Sequence, residues 1–290
     1  MRYRDRKGNE YNGENGQDRL LAFVYGHAVT RLLIRPLLSP IVSHIGGAFL
    51  NTRISKLGIR PFVKSNGIDL SIYEKQEFAS YNEFFTRKIR AAERPADMRE
   101  NVLISPSDGK VSVYPIEENG IFRIKHTPYT VRQLLRDDKL ADRYMGGWIY
   151  VIRLTVDDYH RYCYVSDGYR SSERRIEGVL HTVNPVANDC YPIYKMNTRE
   201  YCLLKTRKLG TVLTMEVGAL MVGKICNYVK QPCDVHRGEE KGRFEFGGST
   251  IIVMTEPGKV IPDQNLRTNT REHAETLVKM GEHIGAQIEQ

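Results

Sequence analysis

One serine in the sequence stands where it could attack its own backbone. Ser249 follows Gly247 and Gly248 in the stretch GRFEFGGSTIIVM, residues 242–254. Glycine weakens a strand, yet it leaves the preceding carbonyl open and tolerates strained dihedral angles. Given a base and an oxyanion donor, the Ser249 oxygen could attack the carbonyl of Gly248. A β-bulge or hairpin turn containing the same letters is the competing interpretation.

The elements around this serine are predicted to be antiparallel strands. From Val102 to Val260, short β-branched or aromatic runs alternate with turn dipeptides. Two pairs of glycine motifs recur: VHRGEEKG with VKMGEHIG (residues 235–242 and 278–285), and DGKV with PGKV (residues 108–111 and 257–260). Each motif predicts a strand, a tight glycine turn and another strand. Together they predict a β sandwich or hybrid barrel with pseudo-repeated hairpin modules.

Helical patterns precede the β-rich part. Between Leu20 and Leu50 apolar residues recur at helical spacing, and a third helical patch follows in YNEFFTRKIRAAERPAD. Charged residues interrupt these runs, so none reaches the roughly 18 residues of a membrane span. The sequence therefore predicts an α+β protein, with N-terminal amphipathic helices in residues 1–95 and a β-rich domain in residues 96–290. The apolar helix faces either pack on the protein or lie on an anionic membrane surface.

Composition narrows the function classes. The formal net charge of +8 favours an anionic partner, either nucleic acid or a membrane surface. Aromatic residues are dispersed, which disfavours nucleic-acid binding. The five cysteines lack CxxC spacing and the histidines are scattered, so no metal site is predicted and the cysteines are expected to be reduced. The polar N-terminus predicts no secretory signal.

Three further motifs give Ser249 a context. SPSDGKV contains Asp108, DDYHRYCYVSDG contains His160, and FFTRKIR spans residues 84–90. Taken with KGRFEFGGST in this order, they resemble the phosphatidylserine decarboxylase family over nearly the whole chain. The GGST form resembles the branch of that family with an additional glycine before the serine.

The resemblance implies a proenzyme that cuts itself between Gly248 and Ser249. The products would be a β chain of residues 1–248 and an α chain of residues 249–290, which stay associated. Ser249 would become a covalent pyruvoyl group, so pyruvate is the implied cofactor. By the same resemblance, His160 takes the proton of the serine and Asp108 orients the imidazole and offsets its charge.

The implied reaction is that of a carboxy-lyase. The pyruvoyl group would form a Schiff base with the amine of phosphatidylserine, and loss of carbon dioxide would yield phosphatidylethanolamine. Since a diacyl lipid stays in the bilayer, the membrane interpretation of the N-terminal helices becomes the favoured one. We expect a peripheral protein on the cytoplasmic face of a bacterial membrane. A decarboxylase of another serine-headed lipid, such as an archaeal ether analogue, and a non-catalytic lipid-binding relative are alternatives, and assembly into a homo-oligomer stays open.

The chain departs from the family at one position. Many members carry a second histidine in a Tyr-His-Arg-x-His pattern, where this chain has Cys163. This leaves open which group is the base for self-cleavage. We hypothesise that His181, in LHTVNP where relatives often carry Tyr or Phe, enters the site and compensates. A plain structural histidine is the alternative.

Overall fold

A computed structural model describes residues 2–12, 23, 27, 30, 46–124, 127–179, 193–218, 224–245 and 249–288. Within these ranges strands dominate. The strands are β1 (Arg2–Arg4), β2 (Glu10–Asn12), β3 (Val102–Ile104), β4 (Gly109–Pro115), β5 (Ile121–Ile124), β6 (Thr127–Thr130), β7 (Trp148–Leu154), β8 (Arg161–Cys163), β9 (Gly168–Arg170), β10 (Arg174–Ile176), β11 (Arg199–Lys205), β12 (Thr211–Val217), β13 (Lys224–Asn227), β14 (Cys233–Val235), β15 (Glu240–Glu245), β16 (Ser249–Thr255), β17 (Val260–Pro262), β18 (Ala274–Val278) and β19 (His283–Gln287). The helices are α1 (Ile59–Asn66), α2 (Tyr81–Phe85), α3 (Val131–Leu135), α4 (Asp138–Asp142) and α5 (Gln264–Arg271), with short 3₁₀ turns at Arg53–Gly58, Leu70–Ile72, Ala91–Glu93 and Ile193–Lys195.

A large open sheet forms the centre of the molecule. Its strand order is β14-β9-β11-β12-β16-β7-β4-β18-β1-β2, with β10 paired to β11. The pairs are antiparallel, apart from β1, which lies parallel to β18. β16 lies between β12 and β7 and pairs with both. The strand that begins at Ser249 is thus a central strand, which explains why Ile251 to Val253 are apolar on both faces and fully buried.

Each face of the central sheet has its own core. On one face, Ile152 and Ile251 pack with Leu103, Phe244 and Ile284 from the two three-stranded sheets β13-β15-β8 and β17-β19-β3. On the other face, side chains such as those of Ile149 and Ile252 pack with the β5–β6 pair and with α3 and α4. This layered arrangement confirms the predicted α+β, mainly antiparallel, sandwich-like fold.

The glycine motifs join strands that belong to different sheets. The motif at 235–242 leads from β14 of the central sheet to β15, and the motif at 278–285 leads from β18 to β19. Gly238 and Gly281 adopt φ values of +74° and +89°, which suit glycine. The predicted strand, glycine turn and strand are present, and the turns act as corners at which the chain changes layer.

The N-terminal region contains strands as well as helix. β1 and β2 add to the edge of the central sheet, although they belong to the segment 1–95 that was predicted to be helical. The predicted helix that starts near Leu20 lies mostly outside the described residues. Residues 46–50 are helical and α1 follows at Ile59–Asn66. Of the helices that the structure describes, none combines the length and the apolar character that crossing a bilayer requires.

Candidate active site

Two of the predicted residues lie where strands of the central sheet begin. β4 starts directly after Asp108, β7 ends at Leu154, and β16 starts at Ser249. Ser249 is in register with Leu154, while β4 pairs with the other side of β7. Because neighbouring strands lie about 4.8 Å apart, the backbones of the two outer strands are separated by about 10 Å. Asp108 and Ser249 thus lie at the same end of the central sheet, on strands separated by β7.

Ser249 is fully buried, and its hydroxyl has no hydrogen-bond partner among the described residues. Its side chain has no accessible surface, and Oγ makes no hydrogen bond with any described residue. Buried hydroxyl groups are normally satisfied, because an unsatisfied one costs about 1–3 kcal/mol. The backbone of the same residue is held in the ladder with β7. The hydroxyl of Ser249 is therefore not committed to a structural hydrogen bond within the described residues, a feature that it shares with the hydroxyl of Thr250.

His160 is a fully buried imidazole with a defined orientation. Its Nδ1 lies 2.9 Å from the carbonyl oxygen of Asp158. Since a carbonyl only accepts, Nδ1 carries the hydrogen, and in the neutral ring Nε2 is then the basic nitrogen. The ring of Phe85 packs on the imidazole with 4.0 Å between ring centroids. The carbonyl of His160 accepts a 2.9 Å hydrogen bond from the backbone N–H of Phe244, four residues before Gly248.

The FFTR segment supports the loop that carries His160. The Arg87 guanidinium donates to the carbonyl oxygens of Asp157 and Asp158, at 3.2 and 3.4 Å. It also lies 4.7 Å from the ring centroids of both Tyr73 and Phe84. Arg87 is 2% exposed, so these contacts are shielded from water. This explains in physical terms why an Arg follows the two Phe residues at this spacing.

A buried ion pair fixes the same loop from the other side. The Asp158 carboxylate accepts from the Thr155 N–H and hydroxyl at 2.7 and 2.8 Å, and from Lys110 Nζ at 3.4 Å. Burial alone would raise the pKa of Asp158, but the charge of Lys110 and the hydrogen bonds from Thr155 outweigh it and hold the pKa below its ordinary value. Asp158 therefore stays ionised while its carbonyl orients His160. Sequence reasoning missed Lys110 and Asp158, although the TVDD pattern could have indicated a side-chain turn after β7.

Asp108 has a different partner from the one that the resemblance implies. Both of its oxygens accept from Arg94, at 2.8 and 2.6 Å, and one also accepts from the backbone N–H of Met280 at 2.8 Å. Among the described residues, the group that meets Nδ1 of His160 is the carbonyl of Asp158. In the uncut chain, Asp108 thus forms a charge-neutral pair with Arg94 near the site.

Cys163, at the position of the second histidine, is a buried thiol. Its Sγ lies 3.9 Å from the carbonyl oxygen of Ser105. Burial raises the pKa of Cys163 to about 12, and the negative charge of Asp108 adds to the effect. At neutral pH this thiol stays protonated and cannot serve as the base. The assignment of His160 as the base stays a prediction, for which the orientation of its ring leaves Nε2 as the basic nitrogen.

Some predicted site residues lie outside the described residues. These are Gly247, Gly248 and His181, so their contribution to the site stays a prediction. Elsewhere in the described ranges, no group of three or more His, Cys, Asp or Glu side chains is arranged to hold a metal ion.

Comparisons of the sequence with known proteins identify one family. A sequence model of the family "Phosphatidylserine decarboxylase" matches residues 81–286. A phosphatidylserine decarboxylase proenzyme 2 from Clostridium acetobutylicum is 42% identical over 273 residues, which cover 94% of this chain and 92% of the relative. Phosphatidylserine decarboxylase proenzymes from Clostridium botulinum and Clostridium tetani are 36% and 34% identical, with coverage of 96% and 98% of both chains. The similarity therefore spans the N-terminal region as well as the β-rich part.

Proposed function

The chain belongs to the phosphatidylserine decarboxylase family, and we propose that it is a proenzyme that cuts itself between Gly248 and Ser249 and then converts phosphatidylserine to phosphatidylethanolamine. The observation that carries this proposal is the fully buried, unsatisfied hydroxyl of Ser249 at the start of a central strand. The residue that must attack is thus held rigidly, and its oxygen has no competing partner among the described residues.

His160 is the proposed base for self-cleavage. With Nδ1 donating to the Asp158 carbonyl, Nε2 can take the proton from Ser249 as the oxygen attacks the Gly248 carbonyl. The peptide becomes an ester, and loss of the α hydrogen of residue 249 then expels residues 1–248 as a free carboxylate. This leaves dehydroalanine, and hydrolysis converts it to pyruvoyl and ammonia. Asp108 is proposed to act through the local field, together with Arg94, rather than by a direct bond to the imidazole.

The site fits the group that this chemistry creates. The new carbonyl would lie at the first residue of β16, in a dry environment beside Leu154. Once formed, the pyruvoyl group supplies an electron sink for loss of carbon dioxide from an amine-bearing substrate. His160 can return a proton to the substrate carbon after carbon dioxide has left.

The two product chains are proposed to stay together. β15, which precedes the cut, pairs with β13 and β8, while β16, which follows it, pairs with β12 and β7. Residues 249–290 also supply β17, α5, β18 and β19 to the same core. Separating the chains would expose a central strand, so we expect them to elute as one species in gel filtration and to separate only under denaturing conditions.

The surface next to the site supports a peripheral membrane location. Phe49, Ile54 and Leu57 are 58%, 68% and 74% exposed, an unusual density of apolar side chains on a short segment. Four basic residues accompany them, Arg53, Lys56, Arg60 and Lys64, and the sequence has no acidic residue between Asp18 and Asp69. Such a surface suits the headgroup region of an anionic bilayer.

This surface is connected to the catalytic histidine by aromatic packing. Phe62 of α1 packs edge-on against Tyr81 and Phe84 of α2, and Phe85 packs on His160. A lipid whose acyl chains stay in the bilayer would thus reach the site from this side. We propose that the chain acts on lipid at the cytoplasmic face of a bacterial membrane.

Mass spectrometry and denaturing gels test the proposal. The wild-type chain should give two fragments, the smaller starting at residue 249 with a pyruvoyl group, and Ser249→Ala should stay intact at 33.3 kDa. Thr250→Val is a matched control, because Thr250 is equally buried and its side chain lies on the opposite sheet face; this variant should still be cut. An intact wild-type chain would overturn the enzyme proposal and favour a lipid-binding relative without catalysis.

The substrate is tested separately. Cut protein should release carbon dioxide from phosphatidylserine in mixed vesicles. Because another serine-headed lipid presents the same reacting group, an ether analogue is assayed alongside. Turnover of the analogue with no turnover of phosphatidylserine would contradict the substrate assignment while leaving self-cleavage intact.

A further inference from the structure

A pocket lies at the end of the central sheet that is remote from Ser249. It has a volume of about 410 Å³ and is lined by residues of β4, β5, β7, α5 and the start of β18. Ser249 pairs with Leu154, and Thr255 pairs with Trp148, which lines this pocket. Six residues of strand separate the two places, about 20 Å at about 3.3 Å per residue. The pocket is therefore separate from the proposed active site.

The pocket carries a concentration of positive charge. Arg123 from β5, Arg267 and Arg271 from α5, and His273 after α5 all line it. Arg267 Nε is buried and makes no hydrogen bond with a described residue. Neither Arg123 nor Arg271 makes an ion pair or side-chain hydrogen bond within the described part of the chain. Three arginines thus line one space, and none of them forms an ion pair with a carboxylate of the described residues.

The acidic residues close to the pocket are already paired. Glu275 lines the pocket, but both of its oxygens accept from Arg153. Glu272, next to Arg271 in sequence, pairs with Arg4 of the N-terminal strand. The net charge left for a ligand is therefore about three positive charges. Arg123 and Arg271 are exposed, as in a solvated surface patch, whereas Arg267 is half-buried and its Nε is shielded from water.

The remaining walls fit a small ligand with an anionic end. Thr270 Oγ1 accepts from the backbone N–H of Val113, so its own hydrogen is available to another acceptor. Trp148 supplies an aromatic surface and an indole N–H, and Pro115 and Ala274 are apolar. The charged side chains that line the pocket without an ion pair are all donors, which favours an oxyanion over a cationic ligand.

Compensation of the helix dipole accounts for only part of this arrangement. Arg271 occupies the last turn of α5, where a positive charge is favourable. Arg123 belongs to a different element, and Arg267 lies one turn earlier. We infer that the pocket is a binding site for a phosphate group, carried either by a soluble phosphomonoester or by the headgroup of an anionic phospholipid.

Calorimetry with the folded protein, cut or uncut, tests the site. Inorganic phosphate and glycerol 3-phosphate are titrated into wild type and into Arg267→Gln and Arg271→Gln. We expect saturable 1:1 binding that weakens roughly tenfold for each arginine removed, since each supplies a charge-assisted hydrogen bond. Arg207→Gln is the control, because Arg207 is exposed in the turn between β11 and β12 and should leave binding unchanged. Circular dichroism melts verify that each variant folds.

Vesicles distinguish the two sources of phosphate. Flotation with phosphatidylglycerol vesicles is compared between wild type and the double variant Arg267→Gln/Arg271→Gln. If the double variant binds neither glycerol 3-phosphate nor vesicles, the site is assigned to a lipid headgroup. If it loses only the binding of glycerol 3-phosphate, the site is assigned to a soluble phosphomonoester. Absence of saturable binding by phosphate, glycerol phosphate and vesicles, or equal weakening by Arg207→Gln, overturns the inference. None of these measurements depends on decarboxylation, so their outcome is independent of the proposed function.

Discussion

Lys110→Met should make the stability of the protein depend on pH in a specific way. Lys110 is 8% exposed, and the side chain of Asp158 is 15% exposed. The positive charge of Lys110 offsets the cost of burying the Asp158 carboxylate. Removing one partner of a buried pair costs about 3–5 kcal/mol. Methionine keeps most of the packing of the lysine stem, so most of this cost should come from the charge.

The sign of the pH effect follows from the pKa of Asp158. In the wild type this pKa is held below the unfolded value of about 3.9, so the carboxylate stabilises the fold above that pH and this contribution is lost as the pH falls through the folded pKa. Without Lys110, burial is the largest remaining influence, and the folded pKa should rise above the unfolded value. The carboxylate then destabilises the fold at pH 7, and protonation relieves this as the pH falls toward 4.

Urea unfolding followed by the fluorescence of Trp148, the single tryptophan, measures the effect. The experiments use a Ser249→Ala background, so that every chain stays uncut. Lys110→Met should lower the free energy of unfolding by about 3–5 kcal/mol at pH 7 and by clearly less at pH 4.5. Lys110→Met/Asp158→Asn should recover most of the loss, since neither charge is then left alone. Lys64→Met, at an exposed position, should change stability by less than about 0.5 kcal/mol.

An equal loss of unfolding free energy in Lys110→Met at pH 7 and at pH 4.5 would refute this reasoning. So would a Lys110→Met/Asp158→Asn variant that is no more stable than Lys110→Met. With Ser249 restored, Lys110→Met should also slow self-cleavage by roughly tenfold to a hundredfold, because the loop that orients His160 loses its support. The rate is read from the appearance of fragments in a pulse-chase gel.

Three further outcomes are expected. Cys163→Ser should keep the self-cleavage rate within about threefold, because a thiol whose pKa is raised to about 12 supplies no base; an uncut chain on a gel would implicate the sulfur. Phe85→Leu keeps most of the volume but loses the ring 4.0 Å from the imidazole, so self-cleavage should slow by about tenfold with only a small fall in Tm; an unchanged rate would contradict the packing argument. Arg60→Glu/Lys64→Glu should weaken binding to anionic vesicles at least tenfold in flotation assays, and added salt should reduce this difference. The control is Lys208→Glu, which changes an exposed lysine far from this surface. Equal weakening by the control would show that only the net charge of the protein matters.

The sequence predicted the fold class because its signals are local. Short β-branched runs and glycine turns indicate antiparallel strands wherever they occur, and the strand, turn and strand order of the glycine motifs is present. What local signals do not contain is the partner of each strand. Gly238 and Gly281 therefore predicted tight turns, but only the sheet pairing shows that these turns are corners between layers.

The sequence by itself also led to the predicted reactive residues. Ser249 after two glycines, with the motifs around Asp108 and His160 in order, led to the family to which the chain belongs. Only the tertiary structure shows the partner of each group: the Asp158 carbonyl orients His160, and Arg94 pairs with Asp108. It also shows the burial that keeps Cys163 protonated. The reason is physical, since residue types fix which groups can donate, accept or ionise, whereas distance and burial fix which of them do.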